Sequence, residues 1–223
     1  MSGQTARRVA IIMDGNARWA ARRGLPVLDG HRAGAEALKR TVKDAVRQGL
    51  RELTVYAFST ENWSRPAAEV SGLMSMFAEL IRDETPELKQ QGVRMVFIGR
   101  RAGLSDELCE QMDWATGETA GQSRLSLFVA FNYGGRAELL DAAANFKGGD
   151  EADFAKLLYA PEMSDPDLVI RTSGEHRLSN FLLWQTAYSE LHFTDVLWPD
   201  FSERDLVAAI DEYARRGRRF GAR

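Results

Sequence analysis

Hydrophobic positions along the chain follow two rhythms. Short continuous apolar runs, rich in β-branched residues, occupy positions 9–13, 53–58, 93–98, 125–131 and 168–170. Unbroken rather than alternating hydrophobicity predicts strands of a parallel sheet buried on both faces. Between the runs, apolar residues recur at helical spacing: Ala35, Leu38, Val42, Ala45 and Val46, then Val70, Leu73, Met74, Phe77, Leu80 and Ile81. Leu108 with Met112, Leu139 with Leu140 and Ala143, and Leu206 with Ala209, Ile210 and Tyr213 predict three further helices, the last capped by Ser202. Pro86 falls inside the second helical pattern, so that helix is expected to kink or end there. Positions 148–150 and 160–166 read as loops around a short helix. The alternation predicts one α/β domain over residues 1–223: a central, mostly parallel sheet flanked by helices, with residues 1–8 as a disordered tail.

Composition narrows the class. The 223 residues are 44% hydrophobic and 27% charged, ordinary for a globular domain, and no apolar run reaches the ~18 residues needed to cross a bilayer. A lone cysteine, Cys109, excludes an internal disulfide framework and sits in a helical apolar pattern, where a packed side chain is the default. The N-terminal apolar run is too short for a signal peptide, so a reduced, cytoplasmic protein is expected. A formal charge of -3 gives no global attraction to nucleic acid, so any polyanion site must be local. Phosphate loops, dinucleotide turns, zinc-protease and esterase motifs are all missing, and the three histidines lack metal-ligand spacing.

The informative residues follow the strands. The first run leads into Met13-Asp14-Gly15-Asn16-Ala17-Arg18-Trp19, the second into Ser59-Thr60-Glu61-Asn62-Trp63-Ser64-Arg65-Pro66, and the fifth into a segment containing Arg171, Arg177 and Ser179. Ligands of open α/β sheets bind at the carboxyl ends of strands, and guanidinium forks with hydroxyls and amides form phosphate shells. An aspartate beside a phosphate is repelled unless a hard cation lies between them, and magnesium is the natural choice. Taken alone, Asp14 reads first as a helix cap, and each arginine first as a solvated charge. Three polar segments at three strand ends weaken those readings together.

These residues carry a resemblance. Met13-Asp14-Gly15-Asn16-x-Arg18-Trp19, Gly30-His31-x-x-Gly34, Tyr56-Ala57-Phe58-Ser59-x-Glu61-Asn62-Trp63-x-Arg65-Pro66, Asn132-Tyr133-Gly134-Gly135-Arg136 and the block from 167 to 200 closely resemble the cis-prenyltransferases of the bacterial undecaprenyl diphosphate synthase type. The match runs in the family's order from about Val9 to Gly221. The resemblance implies a homodimer, magnesium dependence, an apolar tunnel, and repeated addition of isopentenyl diphosphate to farnesyl diphosphate with new cis double bonds. It implies undecaprenyl diphosphate, precursor of the cell-wall lipid carrier, as product, with transient peripheral contact at the inner membrane for product release.

Carried over residue by residue, the resemblance makes Asp14 the essential acid at the allylic diphosphate and metal. Gly15, Asn16, Ala17 and Arg18 hold that diphosphate, His31 stands nearby, and Trp19 lies against the prenyl chain. Arg171, Arg177, Leu178 and Ser179 match the isopentenyl diphosphate site, Glu190 a second magnesium ligand, with His176 close to the same metal or diphosphate. Ser59, Thr60, Glu61, Trp63 and Arg65 match substrate-binding positions. Asn62 matches the position usually assigned as proton acceptor, although a neutral carboxamide is a very weak base and better suited to orienting substrate. Arg219 and Gly221 resemble a motif closing the second site across the dimer, whereas Arg215 and Arg216 read as a basic helix end.

Tunnel positions of the family correspond to Ala57, Val93 and Leu125, with Met74, Met76 and Phe77 expected along one wall. One departure stands out: Val27 replaces an arginine that often contacts the allylic diphosphate, and it can donate no hydrogen bond. The stretch 145–166 is shorter than in many relatives, and Ser173 stands where some carry glycine. The competing readings are a cis-prenyltransferase of shorter product, a non-catalytic partner subunit, and a generic phosphate-binding module. Retention of Asp14, Asn62, Arg171, Arg177 and Glu190 argues against the partner subunit.

Overall fold

The computed structural model describes residues 5–216. Six strands, β1 (Arg8–Ile12), β2 (Glu52–Ser59), β3 (Val93–Ile98), β4 (Leu125–Tyr133), β5 (Leu168–Arg171) and β6 (Glu190–Phe193), form one sheet in the order β3-β4-β2-β1-β5-β6. Every neighbouring pair is parallel. The helices are α1 (Asn16–Ala21), α2 (Val27–Arg47), α3 (Ala67–Gln90), α4 (Asp106–Thr119), α5 (Gly135–Asn145), α6 (Glu151–Ala155) and α7 (Glu203–Arg215). The single α/β domain with a parallel central sheet thus stands as expected.

Both faces of the sheet are covered, which is why its strands read as unbroken apolar runs. Val9, Ile11, Leu53, Val55, Val93, Leu125 and Ile170 point to one face, where apolar stripes of α2, α3, α4 and α7 pack on them. Ala10, Ile12, Phe128, Ala130 and Val169 point to the other, under Tyr133, Met163, Phe181 and Leu182. Ser202 starts α7 as expected, its N–H donating to the Asp205 carboxylate at 2.9 Å.

Three expectations change. Pro86 does not end its helix: α3 continues to Gln90. Proline forfeits one backbone bond, but buried Ile81, Thr85 and Leu88 anchor the helix on either side, and the Thr85 hydroxyl donates to the Ile81 carbonyl. Residues 5–8, assigned to a disordered tail, are docked instead: Ala6 is buried, and the Arg7 and Arg8 N–H groups donate to Asp167 at 2.9 and 3.0 Å. A sixth strand, β6, also joins the sheet edge; its sequence Glu-Leu-His-Phe is short and only half-buried, so it carries no unbroken apolar signal.

β1 sits mid-sheet with β2 on one side and β5 on the other. The chain leaves β1 towards β2 and later returns to its opposite flank. Such a switch opens a crevice beyond the carboxyl ends of these strands.

Candidate active site

A cavity of about 570 Å³ opens at that crevice. Its mouth is polar, lined by Asp14 after β1, Asn16 on α1, His31 on α2, Ser59, Glu61, Asn62 and Arg65 after β2, and Arg171, Ser179 and Asn180 after β5. Ala57, Phe58, Leu38, Leu73, Met76, Phe77 and Leu80 form its apolar part. Polar and apolar halves therefore meet in one space between the sheet and the α2–α3 layer.

At the mouth, Asp14 is clamped by its backbone. Its N–H donates to the Thr172 hydroxyl at 2.9 Å, and that hydroxyl lies 2.6 Å from the Asp14 carbonyl. Arg171, only 4% exposed, donates from Nη2 to Asp14 Oδ2 at 2.9 Å and from Nη1 to Ser179 Oγ at 2.7 Å. Arg18 lies 3.6 Å from Asp14 Oδ1 and from Glu175, and donates to the Ser173 carbonyl at 2.9 Å. Arg177 pairs with Glu175, and Arg65 with Glu69 at 3.0 Å. Four guanidinium groups thus share three carboxylates, Asp14, Glu175 and Glu69, with Arg65 and Arg171 on the cavity wall itself.

Local sequence explains the convergence. Gly30 and Gly34 let α2 approach α1 closely: a Cβ on either would stand 2.2 Å from the Asn16 carbonyl or 2.5 Å from its side-chain oxygen. Gly15 likewise packs under Ser173 and Leu197. Non-glycine residues with positive φ are Asn132, at the carboxyl end of β4, and Ser173, Ser179, Asn180 and Leu182, after β5. Strained backbone of this kind persists where surrounding contacts over-determine it, commonly at functional sites.

Six buried side-chain polar atoms among the described residues lack a hydrogen-bond partner, and Asn16 Oδ1, His31 Nε2 and Arg171 Nε all border this cavity. Buried polar atoms are ordinarily satisfied, so unused capacity concentrated here marks a place for a polar ligand. His31 has its pKa lowered, first by burial and then by the Arg65 charge, against the opposing pull of Glu69. Tyr56 is pushed well above its usual range by burial, and its hydroxyl donates to the Tyr133 carbonyl at 3.2 Å.

Asn62 plays a positioning part: its Oδ1 accepts the Ser59 N–H at 3.0 Å across a single 3-10 turn, Thr60–Ser64. Thr60 donates to Glu61 at 3.2 Å, just outside the cavity wall. Trp63 turns away from the cavity, its indole N–H donating to Asn132 at 2.8 Å and its ring meeting Phe58 edge-on. Trp19 is also elsewhere: expected against a prenyl chain, it donates to Asp200 at 2.7 Å and lies under Arg23, a solvent-facing polar arrangement. Ala17 is exposed, Leu178 packs into the second core, and His176 stacks on Phe193. Val93 and Leu125 pair at the amino ends of β3 and β4, fully buried, and are not cavity walls; Met74 faces a neighbouring groove with Trp63. Arg219 and Gly221 lie outside the described residues.

Glu190 stands apart from Asp14 within the chain. It opposes Leu168 at the start of β6, whereas Asp14 follows the far end of β1, so parallel register separates the two carboxylates along the whole sheet. Glu190 instead pairs with Arg216 at 2.8 Å, and Arg216 pairs with Glu212 too, so Arg216 is an ion-pair clamp rather than a free basic helix end. Among the described residues no three His, Cys, Asp or Glu side chains could cage a metal. Asp14 fits a different arrangement: a third-exposed carboxylate on a cavity that has phosphate-type donors. Magnesium commonly takes one or two carboxylates and completes its octahedron with substrate phosphates and water.

Asn132, Asn180 and Thr172 organise the site without having been singled out as site residues. The first two belong to motifs quoted above, but only their positive φ and paired bonds reveal their work.

Comparison with known proteins agrees with this geometry. The family model described as "Putative undecaprenyl diphosphate synthase" matches residues 12–221. The isoprenyl transferase of Thermotoga maritima is 49% identical, covering 96% of both chains. A Legionella pneumophila protein named ditrans,polycis-undecaprenyl-diphosphate synthase ((2E,6E)-farnesyl-diphosphate specific) is 44% identical, over 99% of this chain and 98% of its own. The crystal structure of lavandulyl diphosphate synthase from Lavandula x intermedia, in complex with dimethylallyl diphosphate, superposes with a TM-score of 0.94 at 35% identity, over 97% and 98% of the two chains. With the strand-end arginines, the Asp14 clamp and the apolar cavity in place, the chain belongs to the cis-prenyltransferase family of the undecaprenyl diphosphate synthase type.

Proposed function

We propose that the protein condenses isopentenyl diphosphate repeatedly onto farnesyl diphosphate to give undecaprenyl diphosphate, as a magnesium-dependent homodimer. The observation carrying this reading is the union of a guanidinium-lined mouth and an apolar chamber in one cavity. A diphosphate bearing a prenyl tail needs both, and few other ligands do.

Chemistry follows from the charge that develops. Cleavage of the allylic carbon–oxygen bond leaves a carbocation and a diphosphate with one more negative charge. Donors already fixed on the leaving group lower that barrier because they need no reorganisation. Arg18, Asn16 and His31 hold the allylic diphosphate, His31 from a buried position where burial and the Arg65 charge lower its pKa. Arg171, Arg177 and Ser179 hold the second diphosphate. Asp14 would hold a magnesium ion at this mouth, and the bound ion would supply Lewis-acid neutralisation of the leaving group.

After carbon–carbon bond formation a proton must leave. Asn62 turns its carbonyl oxygen to the Ser59 N–H and orients the turn, and a diphosphate oxygen or water takes the proton. The chain then grows past Ala57 between the sheet and α3. The product, being a long apolar chain, is handed over by transient peripheral contact with the bilayer; among the described residues no helix is long and apolar enough to cross it.

A shorter product is the second reading, favoured by cavity walls that stop before Val93 and Leu125. Radiolabelled isopentenyl diphosphate with farnesyl diphosphate and magnesium, resolved by chain length, separates the two. A single fifty-five-carbon product that disappears with EDTA supports the first; arrest at fewer units supports the second; no incorporation onto any allylic primer defeats both.

A further inference from the structure

Three strand-end segments meet at Asn180. Its side-chain N–H donates to Glu61 Oε1 at 2.8 Å, on the turn that carries Asn62. Its side-chain oxygen accepts the Arg136 N–H at 2.8 Å, and its carbonyl accepts the Gly135 N–H at 2.7 Å, both at the start of α5. The amide orientation is unambiguous, because a carboxylate can only accept and a backbone N–H can only donate. Its neighbour Ser179 accepts from Arg171, which in turn holds Asp14.

This junction is tight. Asn180 has φ +64, between Ser179 at +47 and, two residues on, Leu182 at +44. A Cβ on Gly134 would stand 2.6 Å from the Thr60 hydroxyl and 2.8 Å from the Asn180 amide nitrogen. Asparagine tolerates left-handed backbone better than most residues, and its amide serves both partners at once. Glu61 is correspondingly held below the usual carboxylate range: burial pushes it up, and bonds from Asn180 and neighbouring donors outweigh that.

We propose that Asn180 is a positioning residue that ties the Asn62 turn to the Arg171–Ser179 cradle through Glu61, and so fixes the separation of the two bound substrates. The inference rests on the reaction proposed above and adds to it the residue that sets its geometry. Asn180 touches neither reacting carbon; it acts through the turn and the cradle that do.

The test is a polarity swap. Asn180→Asp is isosteric and keeps the acceptor for Arg136, but sets a second carboxylate against Glu61. Misplacement on the ångström scale can cost about a hundredfold, so kcat is expected to fall by that order. The KM for farnesyl diphosphate should stay within about threefold, because each half-site is intact and only their spacing is lost. Adding Glu61→Gln rebuilds the bond with donor and acceptor exchanged. The double variant should return to within about fivefold of Glu61→Gln alone. An Asn180→Asp protein with unreduced kcat, or a double variant no faster than the two single losses multiplied, would overturn the proposal. Failure of the unsubstituted protein to turn over substrate would instead defeat the proposed reaction. The same four proteins should bind inorganic pyrophosphate within about threefold of one another by calorimetry, and a loss of pyrophosphate affinity that parallels the loss of kcat would overturn the proposal by showing a broken half-site.

Discussion

Two aspartate–arginine pairs stand at opposite ends of the adjacent strands β1 and β5, and they differ in how much of their bonding capacity is spent. At the amino end, Asp167 accepts four bonds, from the N–H groups of Arg7 and Arg8 and from Nε and Nη2 of Arg8, all between 2.9 and 3.3 Å. Its carboxylate is full, and its side chain is 8% exposed. At the carboxyl end, Asp14 has one close bond, from Arg171, and a 3.6 Å approach from Arg18, with 31% of its side chain exposed to the cavity. Arg171 keeps a buried Nε with no partner. The same two residue types make a finished joint in one place and an unfinished one in the other. Capacity left open in a buried, strained setting is what a ligand can use; capacity fully spent only holds the chain together.

Replacing each aspartate by alanine breaks the comparison most directly. On the proposed reaction, Asp14→Ala should cost on the order of a thousandfold in kcat, because the carboxylate that would hold magnesium beside the leaving group is lost. The radiolabel assay reads it, with circular dichroism showing a folded protein. Asp167→Ala should do the reverse. Two backbone N–H groups and the Arg8 guanidinium lose their acceptor, costing about 2–3 kcal/mol, while kcat of the folded fraction remains near that of the parent. For a chain of this size that is a fall in melting temperature of roughly 5–10 °C. Equal loss of activity in both variants would erase the distinction between the two ends.

Ala57→Leu sharpens the comparison within the carboxyl end. Ala57 borders the apolar part of the cavity, away from the arginines. The larger side chain should shift products towards shorter chains while leaving the first condensation and the affinity for pyrophosphate unchanged. A full-length product from this variant would show that the chain grows along another path.

Five of the six strands and the apolar stripes of the long helices were legible because continuous burial writes itself as hydrophobicity. β6 was not: a half-buried edge strand of four residues leaves no such record. Of the strand-end motifs, Asp14, Asn16, His31, Ser59, Glu61, Asn62, Arg65, Arg171 and Ser179 line one cavity. They could not show direction. Trp19 and Trp63 sit in matching motifs, yet each indole N–H finds an acceptor, Asp200 or Asn132, that draws the ring away from the cavity. That Glu190 lies at the end of the sheet away from Asp14 is a matter of topology, since only strand register reveals which end a residue occupies. Asn180 was invisible as a site residue because its work depends on a left-handed backbone and on two partners far away in sequence.

The smallest expected effect comes from adding a charge at the unfinished end. Val27 is the first residue of α2 and 39% exposed, and it precedes by one helical turn His31, which lines the cavity mouth. Side chains at this spacing share a helix face, so Val27→Arg places a flexible guanidinium beside the mouth. Two terms oppose each other. A cation in the first turn of a helix meets the positive end of its dipole, costing roughly 0.3–1 kcal/mol of stability. A charge-assisted hydrogen bond to a bound diphosphate returns about 1.5–3 kcal/mol, reduced at this exposed position by solvent. The balance should tighten allylic diphosphate binding by roughly three- to tenfold, with a melting temperature unchanged or slightly lower and kcat unaltered. Because the gain is electrostatic, it should shrink between low and physiological salt, where exposed charges are screened over about 8–10 Å. Calorimetry with a non-reactive allylic diphosphate analogue at two salt concentrations measures it. An affinity that does not change would mean that the diphosphate sits beyond reach of the α2 N-terminus, held wholly by the Arg18 and Arg171 side of the mouth.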